Sequence, residues 1–222
     1  MRALLALDTT NAWCVAALRR PGHDDLVRAE RIGRGHAERL APMVEELLAD
    51  AGVSPSSLER IGVATGPGSF AGTRVGCAFA RGLSLATGAD AAGVSNLAVT
   101  ARMADPLLQY RIAVVHDAKR GELVVQLFDR GQAAFGPERL TTAAATDWLR
   151  PLAEAGVRPV GSGAPLLRAA LERTDWPDDV FTEGPDLDPR VLLDLAEASN
   201  APPSPFYARP PDAKLPGGVE PE

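Results

Sequence analysis

The sequence is short of aromatic residues, histidine, cysteine and lysine, and each shortage narrows what the chain can do. Only 5% of the 222 residues are aromatic, with 3 Trp, 2 Tyr and 6 Phe. A stacking platform for single-stranded nucleic acid needs exposed aromatics among basic residues, so none is expected. The three histidines, His23, His36 and His116, show neither HxxxH nor HExxH spacing, which argues against a preformed histidine metal site. Cys14 and Cys77 lie far apart, in stretches that read as strand and helix. They make no disulfide framework, and a reducing cytosol is the simplest compartment. No run of about 20 apolar residues occurs, so no membrane span is expected. The apolar run at the start, Met1 to Leu7, is too short for a signal peptide. There is no G-x-S-x-G elbow, and neither cysteine has an adjacent histidine, so no nucleophile–base set of a protease is visible. Lysine occurs only at 119 and 214, against 21 arginines, a bias that GC-rich codon usage explains.

What is present describes a globular chain. Its hydrophobic fraction is 45% and its charged fraction 23%, both at the globular average. The formal net charge is −6, so the chain is no stand-alone nucleic-acid binder, and any such role is lent by a partner. The length allows one or two domains with a core that needs no staples.

Ala3–Leu7, Trp13–Leu18 and Leu26–Ile32 read as three strands of an antiparallel meander. Leu40, Met43, Val44, Leu47, Leu48 and Ala51 recur at steps of three and four, which predicts an amphipathic helix from His36 to Ala51, ended by Gly52. Ile61–Thr65 reads as a buried strand leading through a glycine loop into a second helix that runs to Thr87. Its core stripe is expected at Val75, Ala78, Phe79, Gly82, Leu83 and Ala86. Gly76, Ala80, Ser84 and Gly88 then form an opposite face of small residues, suited either to intramolecular packing or to a subunit interface. Ala91–Val94 is a short strand, and Ser95 can cap a helix over 96–103.

A second half begins near Tyr110, with strands at 112–115 and 123–128, helices at 142–149 and 165–172, a strand at 157–160 and a last helix opened by Asp188-Pro189. From Pro202 there are seven prolines in 21 residues, which predicts an extended or disordered tail. Each half has a strand ending in aspartate, a hairpin partner and a later glycine turn. Two related α/β lobes follow, the first complete (1–108) and the second abbreviated (109–201), with a proline-rich tail (202–222). The last helix can pack back on the first lobe. A ligand would sit in the cleft between them.

The richest motif is GPGSFAGTRVG at 66–76. Glycines at 66, 68 and 72 allow close backbone approach, and the start of the following helix can hold an anion or form a tight turn with no ligand. No Lys-Ser/Thr pair closes the loop as a P-loop requires. Gly66, Gly68 and Ala71 match G-x-G-x-x-G/A. However, Pro67 removes a backbone donor, and Asp90 precedes the next strand instead of ending it. Asp8-Thr9-Thr10 can orient a metal-bound water or phosphate, or form an Asx turn, and Asp117 stands at the matching place in the second half. Asp8, Asp117 and the loop together keep open an independent small ATPase or kinase. Gly161-Ser162-Gly163 is a weaker candidate.

Several motifs together resemble the TsaB (YeaZ) family of tRNA threonylcarbamoyladenosine biosynthesis. They are LLALDTT at 4–10, HAERLAPMVEELL at 36–48, GPGSFAGTRVG at 66–76, RGL at 81–83, GVSNL at 93–97, Asp117-Ala118 and PFYAR at 205–209. The resemblance implies an α/β actin-like ATPase fold (ASKHA, ribonuclease H-like). It implies that Asp8 and Thr9 form the first phosphate-type turn. Gly66, Pro67, Gly68, Ser69, Phe70, Gly72, Arg74 and Gly76 would form the signature loop, a vestigial or interface nucleotide site. It also implies a non-catalytic subunit that pairs the helices at about 36–51 and 73–87 with those of the transferase TsaD. His36, Leu40, Met43, Leu47, Gly76, Ala80, Ser84 and Thr87 are the residues expected at that contact. TsaE is the further partner, tRNA is met through the complex, and the chain alone can self-associate. No cofactor or metal is required, though ATP or ADP at the partner interface is compatible. Ala71 replaces the family's usual loop threonine, and Ala208 a usual leucine.

Overall fold

β1 (Ala3–Asp8) is built of leucine and alanine up to its closing aspartate, and every residue of the strand is buried. Such a strand needs cover on both faces, and it receives it. Leu5 and Leu7 point into one core cluster while Leu4 and Ala6 point into another. The computed structural model, which describes residues 3–172 and 187–209, places β1 at the centre of a five-stranded sheet. β2 (Trp13–Arg19) and β3 (Leu26–Arg31) follow antiparallel, with Leu5 opposite Leu18 and Val15 opposite Ala29. β4 (Leu58–Ala64) joins β1 in parallel, and β5 (Asp90–Val94) joins β4 in parallel. The order is β3-β2-β1-β4-β5.

The second sheet repeats this plan one strand short. β6 (Arg111–Lys119), β7 (Glu122–Asp129) and β8 (Gln132–Thr141) form an antiparallel meander, and β9 (Arg158–Val160) lies parallel to β6. The order β8-β7-β6-β9 matches β3-β2-β1-β4, with no counterpart of β5 among the described residues. Two mixed sheets of this order are the actin-like, ribonuclease H-like α/β fold with an abbreviated second lobe. β8 escapes sequence patterning because nearly every one of its residues is exposed, so no alternation marks it as a strand.

α1 (His36–Ala51) and α2 (Phe70–Thr87) lie side by side on one face of the first sheet, over Leu5, Leu7, Ile61 and Val63. α6 (Pro189–Ala198) covers the other face. It approaches so closely that a Cβ on Gly62 would stand 2.2 Å from the Cβ of Ala196. Arg60 donates to the carbonyls of Ala196 and Ser199, and so supplies partners to the end of that helix. Although α6 follows the second lobe in sequence, it packs on the first sheet. α3 (Asn96–Ala104) stands between the sheets, with Val99 against the first and Leu97 and Ala101 against the second. α4 (Thr142–Glu154) and α5 (Ala164–Ala170) cover the outer face of the second sheet.

Residues 202–209 form no helix or strand, and they pack on the body of the fold. Phe206 and Ala208 pack into the cluster shared by α3, β6 and β7, and the Phe206 N–H donates to the Thr65 carbonyl at 2.7 Å. The rest of the proline-rich tail, 210–222, lies outside the described residues.

Candidate functional site

A cleft of about 1200 Å³ opens between the sheets. From the first lobe it is lined by the turn after β1, the start of α1, the glycine loop and the start of α3. From the second lobe come the end of β6, Gly161-Ser162 and the segment at 207–209. These are strand ends and helix starts, where α/β folds place ligands.

The turn after β1 is held from within. Asp8 is buried, and its Oδ1 accepts from the Thr10 N–H at 2.8 Å and from Thr10 Oγ1 at 2.6 Å. This is an Asx turn stapled twice, with Asn11 Nδ2 reaching the other carboxylate oxygen at 3.4 Å. Thr9 Oγ1 donates to the Gly72 carbonyl at 2.7 Å, and the Ser69 N–H donates to the Thr10 carbonyl at 2.5 Å. The turn and the glycine loop are thereby fastened together.

That fastening explains the glycines. A Cβ on Gly68 would stand 2.4 Å from the Thr10 carbonyl oxygen, and one on Gly72 would stand 1.9 Å from that of Thr9. Gly66 combines a φ of +98° with a carbonyl of Phe206 only 2.6 Å from its would-be Cβ. Gly76 sits against Thr9 Oγ1 and Val63. The Gly66–Pro67 bond is cis. Ser69 caps α2, its Oγ accepting from the Gly72 N–H.

Asn96 stands in the GVSNL motif, at the first position of α3. It is buried, accepts from the Gly66 N–H at 3.0 Å, and donates to Thr10 Oγ1 at 2.7 Å and to the Pro67 carbonyl at 3.2 Å. One amide thus ties the Asx turn, the loop and α3 into a single network. A buried amide at the first position of a capped helix is the sequence signal that points to it.

On the second lobe, the Asp117 carboxylate is held by the Lys119 N–H at 2.8 Å and by Lys119 Nζ at 2.6 Å. Burial alone would raise its pKa, but the two bonds from Lys119 prevail and hold it below the usual aspartate value. Burial chiefly lowers the pKa of His116. Its Nδ1 lies 3.4 Å from Ser162 Oγ, which accepts from the Asp117 N–H.

At the cleft mouth the Arg74 guanidinium lies 3.8 Å above the Phe70 ring, and its Nε donates to Tyr207 Oη at 2.8 Å. The Phe70 and Tyr207 rings are 4.8 Å apart. Arg74 is thus occupied by aromatic partners of its own chain.

Part of the expected phosphate cradle is engaged within the chain. The spaces beside Gly66, Gly68 and Gly72 are filled by carbonyls of Phe206, Thr10 and Thr9, and the amides of Gly66, Ser69 and Gly72 already have acceptors. Asp8 serves as a turn staple. Among the described residues, no group of three His, Cys, Asp or Glu side chains could hold a metal ion. No helix among them is long and apolar enough to cross a membrane.

The expected contact residues need correction. Leu40, Met43, Leu47 and Ala80 are core residues of the first lobe, each 2% exposed or less, and Gly76 is buried against Thr9 and Val63. His36 is buried with Nε2 3.2 Å from the Trp13 carbonyl. Ser84 and Thr87 are half-buried and donate to the carbonyls of Ala89 and Leu83. The small face of α2 faces inward because the helix rides close over Thr9 and Val63. Of the stripe expected in the core, Ala78, Gly82 and Ala86 are exposed instead, and Leu85 beside them is 89% exposed.

Residues 27–161 match the family model described as "TsaD: tRNA N6-adenosine threonylcarbamoyltransferase". The "tRNA threonylcarbamoyladenosine biosynthesis protein TsaB" of Haemophilus influenzae is 35% identical over 121 residues, which cover 54% of this chain and 51% of that protein. The chain spans about half the length of the curated TsaB relatives it matches. An uncharacterized protein of Mycobacterium bovis is 36% identical over 157 residues, covering 69% of this chain and 71% of its own length. Among solved structures, YeaZ from Pseudomonas aeruginosa superposes with a TM-score of 0.69 at 27% identity, over 93% of this chain and all of that one.

Proposed function

The chain belongs to the TsaB/YeaZ family, and from that premise we propose that it serves threonylcarbamoyladenosine formation in tRNA as a non-catalytic docking subunit. Its partner is the transferase TsaD, and TsaE joins the same assembly. The reaction moves threonylcarbamoyl from its adenylate to N6 of adenosine 37 in ANN-decoding tRNA. The acidic chain leaves both the chemistry and the tRNA contact to its partners. It needs no nucleotide of its own, and ATP or ADP acts only where the partner contributes to the site.

The observation that carries this reading is the uncovered outward ridge of α2, in a chain whose cleft residues are engaged with one another. Ala78, Gly82, Leu85 and Ala86 are exposed along it, and Leu85 at 89% is the most exposed large apolar side chain among the described residues. Beside it α1 exposes Pro42 and Ala49, with Ala41 half-buried. Small residues let a second helix pair approach closely, and an exposed leucine rewards the approach by roughly 1.5–3 kcal/mol when covered. A homologous subunit offers a matching pair at the same place. The chain's match to the model of the transferase supports a pseudo-twofold pairing of like helices. In isolation a second copy of the chain can take the same face.

Reconstitution tests the proposal. TsaD and TsaE with threonylcarbamoyl-adenylate and tRNA should modify adenosine 37 when this chain is added. Equal modification without it would refute the docking role.

A further inference from the structure

The segment 201–209, which contains PFYAR, has no part in the reading above, yet it is tied to α2 twice. Arg74 and Arg81 stand seven residues apart on the exposed side of α2 and bracket Ala78, with Leu85 one turn beyond. Arg74 Nε donates to Tyr207 Oη at 2.8 Å, and Arg81 Nη2 donates to Ser204 Oγ at 2.9 Å. Both cations of this face are therefore held by one segment.

That segment is anchored independently of these side chains. The Gly93 N–H donates to the Ala201 carbonyl at 2.8 Å, the Phe206 N–H donates to Thr65, and Arg209 pairs with Glu122 of the second lobe at 3.4 Å. Gly93 has no room for a Cβ, because the Pro202 carbonyl would lie 2.4 Å away. Phe206 and Ala208 are packed between the lobes. The hydroxyls of Ser204 and Tyr207 are thus presented from a fixed backbone.

We propose that residues 201–209 are a positioning latch for the docking face. Tyr207 and Ser204 draw Arg74 and Arg81 aside and leave the apolar ridge at Ala78 and Leu85 open to the partner's helices. An arginine stem is long enough to lie across small neighbours on a helix and cover them. Released from Tyr207, Arg74 competes with the partner for the surface at Ala78. Tyr207 is a positioning residue that acts through Arg74, and this inference rests on the docking reading above.

The test is the affinity of the full chain for TsaD, measured by calorimetry for wild type, Tyr207→Ala, Tyr207→Phe, Arg74→Ala and the double variant Arg74→Ala/Tyr207→Ala. Thermal unfolding of each variant is recorded alongside. Tyr207→Ala should weaken binding about five- to tenfold, the size of one cation–π contact with its hydrogen bond. Tyr207→Phe, which keeps the ring but loses the acceptor, should weaken it about two- to threefold. Arg74→Ala should bind like wild type, and the double variant should regain that affinity. A double variant as weak as Tyr207→Ala overturns the latch, since Arg74 is then not the obstacle. Wild-type affinity in Tyr207→Ala also overturns it. Failure of the wild type to bind TsaD at all refutes the docking role itself, a different result from either.

Discussion

The same substitution at two glycines of α2 should have opposite effects, which tests how the glycine loop is built. At Gly72 a new Cβ would stand 1.9 Å from the Thr9 carbonyl oxygen and 2.6 Å from Ser69 Oγ. Neither is the end of a flexible side chain able to swing away: one is buried backbone and the other is the helix cap. Overpacking against backbone costs about 1–3 kcal/mol. The shift that relieves it breaks the Ser69 cap, worth about 1 kcal/mol, and the buried Thr9–Gly72 bond, worth about 1 kcal/mol. Gly72→Ala should therefore lose about 3–5 kcal/mol, a large part of the 5–15 kcal/mol typical of a folded domain. Gly82 has nothing within 4 Å of its would-be Cβ, so Gly82→Ala should gain about 1 kcal/mol from helix propensity. Urea unfolding followed by circular dichroism reads both, as midpoints moving in opposite directions at constant slope. A loss below about 1 kcal/mol for Gly72→Ala would refute the reasoning. The loop would then be free to part from Thr9, and its glycines would again be available to a ligand.

Other consequences follow from the packing and the charges. Gly62→Ala should destabilise by about 2–3 kcal/mol by pushing on Ala196, whose Cβ is 2.2 Å from the new one. Ala196→Gly should recover part of that loss, and a double-mutant cycle with no coupling would show that α6 does not bear on β4. Burial pushes the thiols of Cys14 and Cys77 up to about 11, so both should resist a disulfide reagent at pH 8 in the native protein and react on denaturation. Rapid native labelling of either contradicts their place in the core. Arg39, hydrogen-bonded to Glu30 and Glu46, holds both carboxyls below the ordinary value of 4.5. On acidification the unfolded chain takes up their protons first, so the stability they bring is complete above about pH 4.5 and is lost as pH falls through the lowered values. The penalty of Arg39→Met should accordingly be small, weaken with salt, and shrink below about pH 4.5. A penalty independent of pH would mark it as lost packing.

Much of the fold could be read because its elements carry internal signals. The buried run of β1, the stripe of α1 with Gly52 after it, and Ser95 before α3 each mark an element locally. β8 carries no such mark, since both its faces are wet. The phase of α2 is harder for a different reason. Gly76 and Ala80 announce that something comes close, but spacing alone does not say whether it is the chain's own sheet or a partner. The sheet takes that face, leaving Leu85 outward. Likewise the glycines at 66, 68 and 72 announce close approach without naming what approaches. Carbonyls of Thr9, Thr10 and Phe206, distant in sequence, fill the space. Asn96 and Tyr207 were legible as motif members, but what they join depends on tertiary contacts across 86 and 133 residues.

On this reading the chain acts by docking through the outward face of α1 and α2. The most direct test is sedimentation velocity of the chain mixed with TsaD, comparing wild type with Leu85→Glu. Leu85 is 89% exposed, so the charge should leave the fold intact, whereas a charge at fully buried Ala80 would test folding instead. Wild type should form a one-to-one complex and Leu85→Glu should not, with thermal unfolding unchanged. A complex that persists with Leu85→Glu would contradict the docking reading.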